Sequence, residues 1–460
     1  MLKGTDLEKE DFLVGISPKL KKATGSTALS KIINKKIKAK ENKRFNFLSK
    51  AFQHFHLKHA VISKVENREI VLNGKSVLNF SSGNYLGLEL HSKVIEATKH
   101  GLDTYGNHTG CSRVFAVCDQ LLVLEDEVSQ LVGSEKSLIF TNVSQTHEGV
   151  IPELFSSKDS AIFIDRYAHT SMYQVSLMAK AKGADLTRVD ISDQKKLEKI
   201  ISKSSKKQKV LLIDGVYSMS GDIPDLKYID KLCKNYNTIL YIDDAHGTGI
   251  YGANGGGVVE ELGLDFENII LVGSLQKGLG GFGGFVSARQ ELIDFLRITS
   301  KPYIFSGPLQ PHTITGTIEA IRICKSKEGH KLRKTLKENS IYIRENLKRL
   351  GYEIPNGDSP ILPVSVGGDV KTLMSGRWLY DRGICINSVL FPAVPKGEGI
   401  LRISVTAIQS KEQMDELINA FEEMKEYWDN FGSSMKTISH TLGAVIHSKV
   451  KGRNYKGLMK

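Results

Sequence analysis

Six short runs of mostly apolar residues constrain this chain more than any other feature. They are SLIF (137–140), AIFID (161–165), VLLIDG (210–215), ILYIDD (239–244), NIILVGS (268–274) and GFVSA (284–288). A run that continuous has no solvent face, so each one predicts a strand buried on both sides. Segments with helical spacing, such as LEDEVSQLVG and DLKYIDKLCKNYN, lie between them. Alternating strands and helices of this kind predict an α/β fold with a largely parallel sheet covered by helices.

The texture changes after about residue 330. A charged helix (HKLRKTLKENSIYIRENLKRLG) precedes the predicted strands ILPVSVGG, GICINS and LRISVTA, and KEQMDELINAFEEMKEYWDNF reads as a final helix. The 460 residues thus divide into a basic N-terminal arm (1–55), a large domain (56–330), a smaller α+β domain (331–435) and a basic tail (436–460). KIINKKIKAKENKRFNFLSKAF in the arm reads either as an amphipathic helix with Ile33, Ile37 and Phe47 on its apolar positions or as a solvated leader.

In a doubly wound sheet, ligands bind beyond the carboxyl ends of the strands. ILYIDD delivers Asp243 there and His246 three residues later, followed by a glycine turn. A buried carboxylate needs a cationic partner; a protonated heteroaromatic nitrogen, an ion pair or a metal each meets that need. NIILVGS runs into LQKGLGGFGGF, which places Lys277 in a glycine-dense loop. A desolvated lysine there suits Schiff-base chemistry, and it equally suits a phosphate contact. With His169 (DRYAHTS) upstream, the set holds an acid for a pyridinium nitrogen, an amine for a Schiff base and an imidazole to stack on the ring. Those are the parts that a pyridoxal phosphate enzyme needs.

From NFSSGNYLGL (79–88) to about residue 425, the chain resembles the α-oxoamine synthases, which join an amino acid to an acyl thioester. The landmarks occur in family order: NYLGL, LEDEVSQLVG, DRYAHTSM, DGVYSMSGDIPDL, YIDDAHGTGIYG, GSLQKGLGGFGGF, KPYIFSGPLQP and FPAVPKGEGILRISV. The resemblance implies a fold-type I, aspartate aminotransferase-like transferase using pyridoxal 5'-phosphate.

By that resemblance, Lys277 matches the lysine that carries the cofactor and moves the Cα proton. Asp243 matches the partner of the ring nitrogen, His246 the donor to the ring oxygen, and His169 the stacked imidazole. Ser218 matches a residue near the ring oxygen, and Asp214 a position usually held by Glu or Asp. Ser274 matches the phosphate-binding hydroxyl, and Arg402 the holder of the substrate carboxylate. Ser306 falls in a segment that reaches the neighbouring subunit's phosphate in a homodimer, although Gly307 replaces the usual Thr or Ser after it.

The chain departs from the pattern at three places. Val143 and Ser144 stand where a Gly and an aromatic residue usually open the helix that cradles the phosphate. Leu121 replaces a histidine. GNHTGCSRVFAVCD is less glycine-rich than usual and lies near the acyl entrance in the family, which points to unusual acyl specificity.

The implied substrates are a small amino acid (glycine, alanine or serine) and an acyl-CoA or acyl carrier protein thioester, usually joined with decarboxylation. NYLGL and GVYSMSGDI lean toward serine palmitoyltransferase. An aminotransferase shares the Asp and Lys logic, but AHGTG, VYSMSGD and LRISV argue against it. A non-catalytic partner subunit would lack the lysine.

The formal charge of +12 raises the question of nucleic acid. Residues 19–50 carry +10, residues 436–460 carry +6 and residues 1–18 carry −2, which leaves −2 for residues 51–435. No nucleic-acid motif accompanies the charge, so none is expected as a partner. The two basic tracts read as solvated tails, or as contacts for anionic lipid, a carrier protein or a partner subunit. Five scattered cysteines without CxxC spacing point to a reducing compartment rather than to disulfides or metal. MLKGTDLEKEDFLVG lacks the apolar region of a secretory signal, and no uncharged apolar run nears transmembrane length. The expected location is cytoplasmic.

Overall fold

The computed structural model describes Ala28, Ser30–Ile32 and residues 60–446 except 392. Most of the basic arm, with Ile33, Ile37 and Phe47, and the last part of the tail lie outside these residues.

The six apolar runs form strands of one seven-stranded sheet. In chain order these are β4 (Lys136–Phe140), β5 (Ser160–Asp165), β7 (Gln208–Asp214), β8 (Ile239–Asp243), β9 (Ile269–Ser274) and β10 (Gly284–Ala288). The remaining member is β6 (Asp185–Val189), and the spatial order is β4-β10-β9-β8-β7-β5-β6. Pairing is parallel from β9 through β8, β7 and β5 to β6. β10 runs antiparallel to both of its neighbours, so the sheet is mostly parallel, with one reversed strand. β6 escapes sequence reading because it is an edge strand. DLTRV is mostly exposed and has no continuous apolar run.

Side chains from the two faces of the sheet enter two separate cores, one around Leu211, Ile242 and Leu271 and the other around Leu212, Tyr241 and Val272. Helices cover both faces. Among them are α1 (Ser92–Tyr105), α2 (Asp119–Val132), α3 (Val143–Leu154), α4 (Thr170–Ala181), α5 (Leu226–Asn235) and α6 (Pro311–Lys325). Leu121 is a core residue of α2.

Residues before the first sequence landmark form three further strands. β1 (Ile62–Glu66), β2 (Glu69–Leu72) and β3 (Lys75–Asn79) make an antiparallel meander. Its second turn is Asn73-Gly74, with φ of 51° and 80°, the left-handed pair that a tight hairpin requires. β12 (Ile384–Cys385) adds to β3 in parallel, so this sheet ties the meander to the C-terminal part.

The C-terminal part holds a three-stranded antiparallel sheet of β11 (Ile361–Gly367), β14 (Gly399–Ser404) and β13 (Asn387–Val389). It packs with α7 (Lys327–Arg349) and α8 (Asp369–Asp381). GICINS is therefore two short strands in two sheets rather than one. The final helix α9 spans Lys411–Ile446, which extends it into the segment read as tail. That segment has no proline, and Met435, Ile438, Leu442 and Val445 keep helical spacing.

Candidate active site

The carboxyl ends of β5, β7, β8 and β9 bring the expected residues to one rim. Asp243 closes β8 and is buried. Its Oδ1 accepts the Ala245 N–H at 3.1 Å, and its Oδ2 lies 2.9 Å from Nε2 of His147. His147 comes from the second turn of α3 and is fully buried; its Nδ1 lies 2.8 Å from the Tyr241 hydroxyl. Burial alone would raise the Asp243 carboxyl. The hydrogen bond from His147 and the field of His147, Lys277 and His169 reverse that, and the carboxyl sits below its ordinary range.

Asp214 ends β7 directly beside Asp243 in the strand register. Burial and the neighbouring Asp243 charge push its carboxyl well above the ordinary range. Its Oδ1 accepts the backbone N–H of His169 at 3.0 Å. Asp214 therefore fixes the start of α4, where His169 is the N-cap. The His169 ring is anchored by Nδ1 at 2.6 Å from Ser171 Oγ, and burial lowers its basicity.

Lys277 follows β9 by three residues. Burial depresses its ammonium, against the opposing pull of Asp243. Its stem runs past Gly83, where a Cβ would stand 3.5 Å from Lys277 Cγ. His246 is half-buried and lies in the field of Lys277, Arg402 and His169; desolvation first and those cations next push it well below its ordinary value. It is a neutral imidazole, with Nδ1 at 2.8 Å from the Tyr85 hydroxyl.

Arg402 is buried on β14 and reaches the same group from the smaller sheet. Its Nε donates to the Ser218 carbonyl at 2.6 Å, Nη1 to Ser404 Oγ at 3.0 Å and Nη2 to the Tyr85 hydroxyl at 3.4 Å. Ser218 therefore enters through its backbone, as the anchor of the arginine.

Ser274 and the start of α3 share one edge of the rim. Gly284 of β10 pairs with Ser274 on one side and with Phe140 on the other. A Cβ on Gly284 would stand 2.6 Å from Asn142 C and Val143 N, so only glycine lets α3 begin so close to the sheet. Asn142 caps α3 by accepting the Gln145 N–H at 2.9 Å. The first-turn amides of Val143 and Ser144 thus start against β10, next to the strand that ends in Ser274, whose hydroxyl accepts the Gln276 N–H at 3.1 Å. A helix N-terminus of this kind binds anions. The Thr141 hydroxyl is engaged by the Gln145 side-chain amide.

Ser306 is not brought to this group. Its Oγ donates to the Pro302 carbonyl at 2.6 Å and accepts from Arg113 at 3.4 Å. A cleft of about 1210 Å³ adjoins the site at Ser218, between the ends of β5 and β7 and strands β11 and β14. Lys277 does not line it.

Residues 75–421 match the family model for aminotransferase class I and II. The chain belongs to that family. Its matched relatives are α-oxoamine synthases. An 8-amino-7-oxononanoate synthase from Thermosipho melanesiensis is 32% identical over 356 residues, covering 77% of this chain and 90% of the relative. A serine palmitoyltransferase from Sphingobacterium spiritivorum is 32% identical over 386 residues, covering 81% and 95%. Among solved structures, the Sphingomonas wittichii serine palmitoyltransferase superposes with a TM-score of 0.79 at 27% identity, covering 87% of this chain and 99% of that one. A serine palmitoyltransferase solved with PLP superposes equally well, with a TM-score of 0.79 at 26% identity, covering 85% and 99%.

Two members of the site, His147 and Tyr85, have no role in the sequence reading. NYLGL is a landmark, but nothing local shows where its Tyr points. His147 lies in TNVSQTH, a segment that departs from the pattern; its signal is a histidine one helical turn beyond Val143, on the face that turns toward the sheet.

Proposed function

We propose that this chain is a pyridoxal phosphate-dependent C-acyltransferase that condenses an amino acid with an acyl thioester to give an α-amino ketone. The observation that carries this reading is the convergence of Asp243, Lys277 and His246 at one rim of the sheet with Arg402 tied to the same cluster.

The donor set fits the cofactor. When bound, pyridoxal phosphate supplies an electron sink for the charge that develops at the amino-acid Cα. Asp243, its carboxyl below the ordinary range, would keep a proton on the ring nitrogen. His246 would donate to the ring oxygen, and His169 would pack with the ring. The amides of Val143 and Ser144 and the Ser274 hydroxyl would hold the phosphate. Lys277 would be the amine that carries the cofactor and the base for the Cα proton, for which a desolvated amine is suited. Asp214 holds His169 in place, and Ser218 orients Arg402. Arg402 grips the carboxylate with a planar fork of donors.

The substrates are a small amino acid (glycine, alanine or serine) and an acyl-CoA or acyl carrier protein thioester. The cleft at Ser218, with Ile191, Met219, Ile354 and Ile400 in its walls, supports a donor with an extended acyl group. A homodimer completes the site through Ser306 of the second copy. Phe115 and Phe305 support this: they are 84% and 82% exposed, on segments joined where Arg113 stacks on the Tyr303 ring at 4.5 Å. Among the described residues, no helix is long and apolar enough to cross a membrane.

The test crosses glycine, alanine and serine with short and long acyl-CoAs and scores release of free CoA. One pairing is expected to release CoA without amino transfer to a keto acid, and Lys277→Ala is expected to lose both turnover and the visible cofactor band. Full turnover in Lys277→Ala rejects the reading.

A further inference from the structure

Tyr85 is fully buried, and its hydroxyl lies between two functional side chains. Nδ1 of His246 is 2.8 Å away and Nη2 of Arg402 is 3.4 Å away. The direction of each bond follows from the chemistry of the groups. A guanidinium only donates, so the Tyr85 oxygen accepts from Arg402. The Tyr85 O–H is itself a buried donor and requires an acceptor. Among the described residues, the acceptor bonded to it is Nδ1 of His246. Nδ1 then carries no hydrogen, and a neutral imidazole places its one N–H proton on Nε2. Burial keeps the Tyr85 hydroxyl protonated, and burial with the surrounding cations keeps His246 neutral. Among the described residues, Nε2 of His246 has no hydrogen-bond partner, so its N–H remains for a ligand.

We propose that Tyr85 is a positioning residue: it fixes the His246 proton on Nε2 and couples that donor to Arg402. A carboxylate that engages Arg402 draws Nη2 away from the Tyr85 oxygen. The hydroxyl then shifts its hold on Nδ1, and His246 registers that the amino acid has bound. The tautomer rests on the hydrogen-bond geometry around a neutral His246; the coupling rests on the function proposed above.

Full-length protein without cofactor, labelled with ¹⁵N-histidine, reports the tautomer by two-bond ¹H–¹⁵N spectra, with His246→Gln identifying the resonance. The wild type is expected to show the Nε2–H form and Tyr85→Phe a mixture of both forms. A wild-type His246 protonated on Nδ1 overturns the proposal without any variant, which covers the case where Tyr85→Phe fails to fold. In cofactor-loaded protein, the pH midpoint of the visible band is measured with and without amino acid. Tyr85→Phe is expected to lose at least half of the shift that the amino acid causes, and an undiminished shift overturns the coupling. A wild type that develops no visible band with added pyridoxal phosphate rejects the parent function and the coupling together, while the tautomer spectra still decide the role of Tyr85.

Discussion

Nε2 of His147 stands 2.9 Å from Oδ2 of Asp243, and both side chains are buried. The pair explains how a carboxylate stays ionised at a strand end that water does not reach. Removing the donor leaves the carboxylate without its main partner. His147→Leu is therefore expected to lower the unfolding free energy by roughly 1.5–3 kcal/mol, the range for a hydrogen bond to a charged group. It is also expected to weaken pyridoxal phosphate binding, because an Asp243 that takes up a proton no longer holds one on the ring nitrogen. His147→Asn restores a donor and should recover part of both losses. Denaturant unfolding and cofactor titration check this; unchanged values in His147→Leu would show that the pair is dispensable.

Asp244 follows Asp243 but behaves in the opposite way. It is fully buried, Oδ2 accepts only the Val258 N–H at 3.0 Å, and Oδ1 has no partner among the described residues. Burial raises its carboxyl well above the ordinary value of 3.8. A group raised on folding gives its full contribution to stability below the unfolded value and loses it as pH rises through the folded one. Asp244→Asn is therefore expected to melt higher than wild type at neutral pH, with an advantage that shrinks as pH falls toward 3.8. A melting difference independent of pH would contradict this.

Gly284 sets the spacing between the sheet and the start of α3. Adding a Cβ there forces the Asn142–Val143 backbone to move. Gly284→Ala is expected to cost about 1–3 kcal/mol of stability, as for overpacking elsewhere, and to raise the cofactor dissociation constant by displacing the phosphate-binding amides. Calorimetry with pyridoxal phosphate measures the effect. Binding at wild-type affinity would place the phosphate elsewhere.

Arg402 is held by three groups, so its planar head has a fixed direction. Lysine cannot reproduce that fork. Arg402→Lys is expected to raise the KM for the amino acid by about 10–100-fold, equivalent to losing a charged hydrogen bond, while the visible cofactor band remains. An unchanged KM would move the carboxylate site away from Arg402.

The sheet was legible because its strands are local. Each apolar run is buried on both faces, and that pattern needs no knowledge of the neighbours. β1, β2, β3 and β6 were not read. Exposed or half-exposed strands mix polar and apolar residues, so burial leaves only a weak mark on them, although Asn73-Gly74 was a usable turn signal. Asp243, His246 and Lys277 were readable for a related reason: parallel strands carry consecutive strand ends to one rim. Ser218 was readable as a position, but its backbone carbonyl holds Arg402, and carbonyls are the same in every residue.

The sequence by itself therefore determined the α/β class, the residues at the strand ends and the location of the net charge in tracts outside the enzymatic body. Tertiary structure alone decided which groups govern those residues. His147 and Asp243 are 96 positions apart, Tyr85 and His246 are 161 apart, and Tyr85 and Arg402 are 317 apart. No local pattern encodes such pairs. His147 reaches Asp243 because α3 begins against Gly284, and Arg402 reaches Tyr85 because β14 faces the rim.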